Sequence, residues 1–482
     1  MMEDDPMRIL LVKPKAWLQT VLGLERFQRL EPLELGYLAA ALPPEHQVRV
    51  LDLRLYRFAD HAFKRELARF QPDLVGFTAY SHESGIMKRL AGMVRRLLPN
   101  ARIVVGGHHA TVAPTDCNVP AIDYIVRGEG CAPFRALVAA LARGAEPEGI
   151  PSLLFAGERF DQEAAKAWPR YPDPATIPIP RRDLWDSCHY YCIWVCENPR
   201  DWQVLLPPVA MARTSYGCKM VCSFCIVPLL CGGVHRPRPA EMVAEDLARV
   251  AADHVYFSDD ENFIDEAYGF ELAEALARRG VKKRYFAWAR ATTVLHSPEL
   301  LRRWREIGLD GVFVGFEFAT NEELKAARKG GTVAHNERAH DTLRRLGIAC
   351  HAAFMVRPEY GHAEFQRLRD YVGAMPPAQC SFTVCTPSPG TPDYEAARPG
   401  FWCGDAYDLH DCMHPLTPTA LPLREFSALL ARQIGEAGRR NPLRVERHLT
   451  RPWELARIVH ADWRYQRAFR ELYRDYPREL WE

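Results

Sequence analysis

The 482 residues contain no long apolar run. The longest stretch free of charge, 371–392, holds five prolines and so cannot form a spanning helix. Neither sign of charge is in excess: 62 Lys and Arg stand against 61 Asp and Glu, a formal net charge of +1. Nucleic acid and anionic membrane are therefore not expected as main partners, since both select basic surfaces. The N-terminus, MMEDDPMRILL, is acidic and lacks the basic, apolar and small-residue regions of a secretory signal, so a cytoplasmic location is expected. Internal repeats and low-complexity tracts are absent. So are a hydrolase-like triad and a pair of carboxylates spaced for acid–base work.

With 48% apolar residues the chain can bury real cores, and its length suggests about three domains. Fourteen cysteines are many for a chain expected in a reducing compartment. Metal or redox use is then more probable than a disulfide framework.

Residues 7–140 alternate short apolar runs with amphipathic stretches. MRILLVK, QVRVLDL, DLVGFTAY and RIVVGG read as buried strands. LELGYLAAAL and the set Ile86, Leu90, Met93, Val94, Leu97 and Leu98 read as helices with one apolar face. That alternation predicts an α/β fold with a parallel, doubly wound sheet over residues 1–145. Its ligand loops would follow the carboxyl ends of the strands. Residues 146–205 lose all period and gather Pro169, Pro172, Pro174, Pro178 and Pro180, which suggests a linker. From Val209 the alternation resumes with VAMART, HVYFS, RYFAWA, GVFVGF, CHAAFMV and CSFTVC. Six β/α units over 206–395 predict a partial barrel with its active face at the strand C-termini. Residues 396–482 read as helical and rich in Trp, Tyr and Arg.

CKMVCSFC follows the first barrel strand. Cys218, Cys222 and Cys225, at x3 and x2 spacing, can cap three corners of a four-iron cluster and leave the fourth iron open. Free cysteines at chance spacing and a structural zinc site compete with this reading, but zinc wants four ligands. The trio Cys188, Cys192 and Cys196 has even x3 spacing. On a helix these would share one face; free buried thiols are the plainer reading.

CxxxCxxC at the end of a first barrel strand resembles the defining motif of the radical S-adenosylmethionine (SAM) enzymes. The resemblance implies a 4Fe-4S cluster whose open iron holds SAM and cleaves it reductively to a 5′-deoxyadenosyl radical. The electron would come from an external flavodoxin- or ferredoxin-type donor. Phe224, just before the third cysteine, fits the family. Asp259 and Asp260, where many members carry Gly-Gly-Glu, would approach the SAM amino group, Asp260 the better placed; helix N-capping is the alternative. Arg290 could pair with the SAM carboxylate and Glu317 with the ribose; surface salt bridges are the alternative.

ARIVVGGHHA and DYIVRGEG resemble the cobalamin-binding module often fused to such barrels. The likeness implies cobalamin contacts at Gly106, Gly107, His108, Arg127, Gly128, Glu129 and Gly130. A plain nucleotide-binding or structural sheet is the alternative. The Asp-x-His-x-x-Gly that supplies a cobalt ligand is missing, since KPKAWLQTVLGLERF stands in its place. Cobalamin is therefore expected with its own base displaced. His82, after the third strand, would lie near cobalt or stand free in a solvated loop. His108 and His109 are either tail contacts or ordinary loop residues.

Together these domains resemble the subgroup holding the hopanoid C-3 methylase and the anaerobic magnesium-protoporphyrin ester cyclase. FSDDENF, RRGVKKRYFAWAR, the PSPGT stretch and YDLHDCMHPLTPTALPLREF carry that likeness. It implies methyl transfer from SAM, by way of methylcobalamin, to an unactivated carbon of an apolar small molecule. Cyclisation without methyl transfer, methylation of a peptide precursor, and a sensor without turnover are the rivals. The aromatic tail, Trp453, Trp463, Tyr465, Phe469, Tyr473 and Trp481, would pack on the barrel, cover an apolar substrate or touch a membrane surface.

Overall fold

The computed structural model describes residues 5–194, 206–375, 379–402, 404, 406–440 and 452–482. Two six-stranded sheets organise it. The first holds β1 (Arg8–Lys13), β2 (Gln47–Asp52), β3 (Leu74–Thr78), β4 (Arg102–Gly106), β5 (Tyr124–Val126) and β6 (Leu153–Phe155). Their spatial order is β2-β1-β3-β4-β5-β6. The first five run parallel, and β6 pairs antiparallel with β5. Near-continuous apolar runs such as Ile9–Val12 are needed because helices cover both faces of a parallel sheet. The order steps outward from β1 in both directions, so a crevice opens where the connections diverge.

The part of 146–205 read as linker contributes more than linker. Leu153–Phe155 adds the edge strand β6, and a short helix follows at Gln162–Lys166. Three residues were too few to show a period. Cys188 and Cys192 are not on one helix: Ser187–His189 is a single 3-10 turn and Tyr191–Cys192 is extended. Cys196 lies outside the described residues.

The second sheet holds β7 (Val209–Ala212), β8 (His254–Phe257), β9 (Arg284–Arg290), β10 (Leu309–Glu317), β11 (Ala349–Val356) and β12 (Gln379–Val384). All are parallel and lie in sequence order, the arrangement of a partial barrel. Alternate residues separate its two faces. Val255, Phe257, Tyr285, Ala287, Val312 and Val314 join the outer helices in one large core. Tyr256, Phe286, Trp288 and Phe313 turn inward and form an aromatic cluster with Trp194.

Residues 396–482 are helical only in part. α1 (Leu423–Arg440) and α2 (Pro452–Arg470) pack together, and Phe469, Leu472 and Tyr473 complete the barrel's outer core. Trp453 and Trp463 stay 65% and 54% exposed. Residues 407–414 form an irregular strap between the two sheets. Val384 N donates to Cys412 O at 2.9 Å, and Thr386 Oγ1 to His414 O at 3.1 Å, tying the strap to the end of β12. Thr20 Oγ1 donates to Asp411 Oδ2 at 2.8 Å, tying it to the first domain. No helix of the described residues is long and apolar enough to cross a membrane.

His414, fully buried, sits between Asp411 (2.9 Å) and Asp475 (3.1 Å). Burial alone would lower its pKa, but the two carboxylates overcome this and raise it to about 9. The contribution to stability is therefore complete below the unfolded value of about 6.5 and is lost as pH rises through the folded value. A shift of this size corresponds to roughly 3 kcal/mol. The urea midpoint should fall between about pH 6.5 and 9.5, and His414→Gln should be weaker at the lower pH but nearly flat across the window. A wild-type midpoint that does not move there contradicts the assignment.

Candidate active site and corrin cleft

The six barrel strands end on one side, and the cysteine loop begins there. Ser215–Tyr216 pairs antiparallel with Arg236–Pro237 and closes the neck of the loop. Gly217 sits in that neck at φ +85°, where a Cβ would come within 2.2 Å of Val234 O, so only glycine fits. Asp259 and Asp260 hold the same neck. Asp259 accepts from Thr214 N, Thr214 Oγ1 (2.6 Å) and Ser215 Oγ (2.7 Å). Asp260 Oδ2 accepts from Gly217 N at 2.8 Å and from Arg213 at 3.0 Å. The sequence assigned both carboxylates to SAM; the structure places them on the approach to the cysteine loop. The cause is position, because the end of β8 lies beside the end of β7.

Within the loop Cys222 is buried and Cys218 and Cys225 are partly exposed. Ser223 N donates to Ala327 O at 3.1 Å and Ser223 Oγ to Asp393 at 3.1 Å, pinning the middle of the loop to two other barrel loops. Phe224 packs on Phe318, Leu324 and Ala327. Burial pushes the Cys218 thiol up, and that of Cys225 to about 12.

Arg290, 7% exposed at the end of β9, donates to Cys222 Sγ at 3.3 Å, and its Nε has no partner. Glu317 ends β10 at φ +64° and accepts from Lys329 at 2.6 Å. Gly315 leaves room for that pair, since a Cβ there would meet Glu317 Oε1 at 2.2 Å. The sequence reading passed over Glu261. It is 2% exposed, and its Oε1 is buried without a partner. Burial lifts its pKa to about 7, against the pull of Arg290 and Lys329. Its place directly after the aspartate pair, at a strand end, was the available signal.

The carboxyl edge of the first sheet forms a second site. Lys13 and Glu83 make a buried ion pair at 2.9 Å, and Glu83 also accepts from Tyr80 N at 2.8 Å. Tyr80 remains 54% exposed, with Lys13 Nζ 4.6 Å from its ring centroid. His82 stacks parallel to Tyr80, and burial lowers its pKa. His108 lies tilted against Tyr80, its Nδ1 buried without a partner; burial lowers its pKa to about 4, so it is neutral. His109 is structural in its contacts: fully buried, it meets Asp116 at 2.8 Å and Ser81 at 3.3 Å.

Gly107 takes φ +87°, and a Cβ there would strike Thr78 Oγ1 at 2.5 Å. Gly106 lies close to Val126 O, and Gly130 to Leu38. Gly128 packs on Pro169 at φ +72°. Arg127 is turned away from the edge: its guanidinium donates to the carbonyls of Ala164, Ala167 and Thr111. Glu129 accepts from Cys131 N at the start of a helix. The sequence placed Arg127 and Glu129 at a ligand, but both already serve local structure.

A family model described as the B12 binding domain matches residues 19–138, and one for the radical SAM superfamily matches 213–372. The hopanoid C-3 methylase of Methylococcus capsulatus is 29% identical over 478 residues, covering 96% of this chain and 88% of that protein. The anaerobic magnesium-protoporphyrin IX monomethyl ester cyclase of Rubrivivax gelatinosus is 26% identical, covering 80% and 68%. The solved methyltransferase TsrM from Kitasatospora setae shares the fold with a TM-score of 0.64 at 19% identity, over 97% of this chain and 99% of that one.

The chain is a B12-binding domain joined to a radical SAM domain.

The residues present fit the cofactors of those domains, which are a 4Fe-4S cluster, SAM and cobalamin. Three thiols on one pinned loop suit a cluster with an open iron, and bound metal would keep buried thiols ionised. Arg290 Nε and Glu261 Oε1 are buried polar atoms that await partners beside it. At the corrin cleft, His108 Nδ1 and the half-exposed Tyr80 ring play the same part. Asp186, Cys188 and His189 also cluster, but all three are exposed.

Anaerobic reconstitution should give about four irons per chain, and Ala at Cys218, Cys222 and Cys225 together should abolish them. Ala at Cys188 and Cys192 should leave the iron count intact. Iron lost from the second variant and kept by the first would refute the assignment.

Proposed function

We propose that this radical SAM enzyme transfers a methyl group from SAM, by way of the corrin, to an unactivated carbon of an apolar, polycyclic lipid-like substrate. The carrying observation is the inner wall of the barrel. Trp288 and Phe313 lie 4.0 Å apart between ring centroids, and Phe313 and His351 4.8 Å apart. All three are only partly buried although they point into the barrel. His351 is neutral, since burial lowers its pKa to about 4. An apolar skeleton offers no charge, so shape and buried area must supply binding, and such a wall supplies both. Two basic groups at the mouth are matched by acids, Arg213 by Asp260 and Lys329 by Glu317.

When bound, the cluster, SAM and corrin supply a hydrogen-abstracting radical and a transferable methyl group. The chain's own residues hold and orient. Cys218, Cys222 and Cys225 carry the cluster. Arg290 and Glu261 stand ready for the polar end of SAM and Glu317 for the ribose, while Asp259 and Asp260 fix the loop from below. Gly106, Gly107, His108, Gly128 and Gly130, in the loops at the carboxyl edge of the first sheet, would line the corrin and its tail. No general acid or base is required. A flavodoxin- or ferredoxin-type protein delivers the electron, and the exposed Trp453 and Trp463 suit a passing contact with a membrane that stores the lipid.

The similarity to the ester cyclase favours a second reading, in which the same cofactors oxidise or cyclise a substrate without methyl transfer. One anaerobic assay separates the two. Methyl-labelled SAM, a reduced flavodoxin and a total lipid extract should yield 5′-deoxyadenosine and a labelled apolar product. 5′-Deoxyadenosine without a labelled product favours the cyclase; label in a peptide or sugar instead overturns the lipid assignment. Trp288→Ala should raise KM roughly 10-fold, as loss of one or two kcal/mol of apolar contact requires.

A further inference from the structure

The helix α2 has two unlike faces. On the inner one Ile458, Ala461 and Phe469 are buried. Tyr465 is pressed against Gly23 of the first domain, where a Cβ would lie 2.8 Å from its ring. The same ring meets Phe27 edge-on at 5.7 Å and Phe469 at 4.9 Å. Gly435 of α1 leaves room for Gln466. These contacts fix which half of the helix faces water.

That outer half carries far more apolar surface than a solvated helix needs. Ten large hydrophobic side chains are exposed among the described residues. Four of them, Trp453, Leu455, Val459 and Trp463, stand on this one helix. Leu455, Val459 and Trp463 follow one another at i, i+4 and i+8, so they form a single ridge. Exposed hydrophobic residues scattered singly are ordinary, whereas a contiguous set marks a contact surface.

Its charge is one-sided as well. Arg457, Arg464, Arg467 and Arg470 are exposed, whereas the two carboxylates of the helix, Glu454 and Asp462, are half-buried. Exposed arginines elsewhere are matched: Arg89 by Asp60, Arg278 and Arg279 by Glu241. On α2 only Arg467 has such a partner among the described residues, Glu471 at 3.1 Å. Arg457 lies over the Tyr191 ring instead, 4.8 Å from its centroid. The even balance of charge over the whole chain conceals this local excess.

We propose that the outer face of α2 docks the protein on an anionic lipid bilayer, with the helix lying flat in the headgroup layer. The apolar ridge enters the boundary of the acyl chains, and the arginines reach the phosphates. Trp463 carries both elements, since Arg467 lies over its ring at 5.7 Å. A bilayer presents an anionic layer above an apolar one along the whole helix, a length of about 28 Å. A second copy of the chain is the poorer fit, because in a two-fold contact the patch meets itself and sets arginine against arginine. The docking needs neither cofactor nor substrate, so its failure would leave the methyl-transfer reading untouched.

Flotation of the full chain with vesicles tests this. Vesicles of phosphatidylcholine mixed with phosphatidylglycerol should carry the protein, and pure phosphatidylcholine should carry far less. High salt should release it, since the attraction is screened. Arg464→Gln with Arg470→Gln should weaken binding roughly 30-fold, as loss of two basic groups near an anionic surface requires. Trp453→Ser with Trp463→Ser should also weaken it and should remove most of the blue shift in tryptophan emission that the vesicles cause. Arg278→Gln with Arg279→Gln, a basic pair on another helix, should bind as the wild type does. All six side chains are exposed, so circular dichroism and the melting temperature should stay unchanged. A wild type that does not float with the anionic vesicles overturns the proposal. So does equal loss of binding from the Arg278 and Arg279 control, which would mean charge without a site. A dimer in sedimentation that the tryptophan variant breaks would assign the face to a second copy and overturn it too.

Discussion

A buried carboxylate holds the two halves of this protein in register. Asp411 is almost fully enclosed, and an unmatched charge there would be expensive. It is matched four ways: by Thr20 from the first domain, by the backbone N–H groups of Met413 and His414, and by the His414 ring. Thr20 reaches it from the first domain, while the other three partners belong to the strap itself, which folds around the carboxylate. The same strap joins β12 through Cys412 and His414. The two domains are thus held together by this hydrogen-bonded carboxylate as well as by an apolar cluster in which Leu33, Tyr37 and Cys131 meet Tyr216 and Cys231.

That constraint matters because both sites lie at carboxyl edges. Parallel strands send all their loops to one side, so each domain builds its site at a single rim. Two rims serve one reaction only if they face each other at a fixed distance, since a misplacement of an ångström can cost a hundredfold in rate. The linker shares the task. Tyr171 packs on Tyr216 in the neck of the cysteine loop, and Trp168 packs where Gly390 leaves no side chain. Pro169 covers Gly128. Residues that look like mere connection in sequence thus line the space between the sites.

How much could be read beforehand follows the range of the interaction. Strands and helices of both domains were legible because period and apolar content are local, and the cysteine loop because its spacing is a chemical pattern. The α/β architecture with a doubly wound sheet and a six-stranded partial barrel stands as expected. The strand Leu153–Phe155 was not legible, since three residues carry no period and their partner, Tyr124–Val126, lies on the other side of the helix Cys131–Ala142 in sequence. Asp259 and Asp260 were visible as a motif, but their direction was not: the sequence cannot say whether a carboxylate at a strand end turns to the ligand or to the neighbouring strand.

The polar atoms left without partners complete the argument. Buried donors and acceptors are nearly always satisfied in a finished structure. Here Arg290 Nε, Glu261 Oε1 and His108 Nδ1 are buried without partners, at the barrel mouth and in the cleft facing it. Asp259, Asp260 and Glu129, which looked equally suited to ligands, are engaged by the protein itself, and Arg127 spends three of its hydrogen bonds on backbone carbonyls while its Nε stays unpartnered. On the proposed reading the strand-end aspartates shape the cysteine loop, while Arg290 and Glu261 keep buried polar atoms that a bound cofactor would meet.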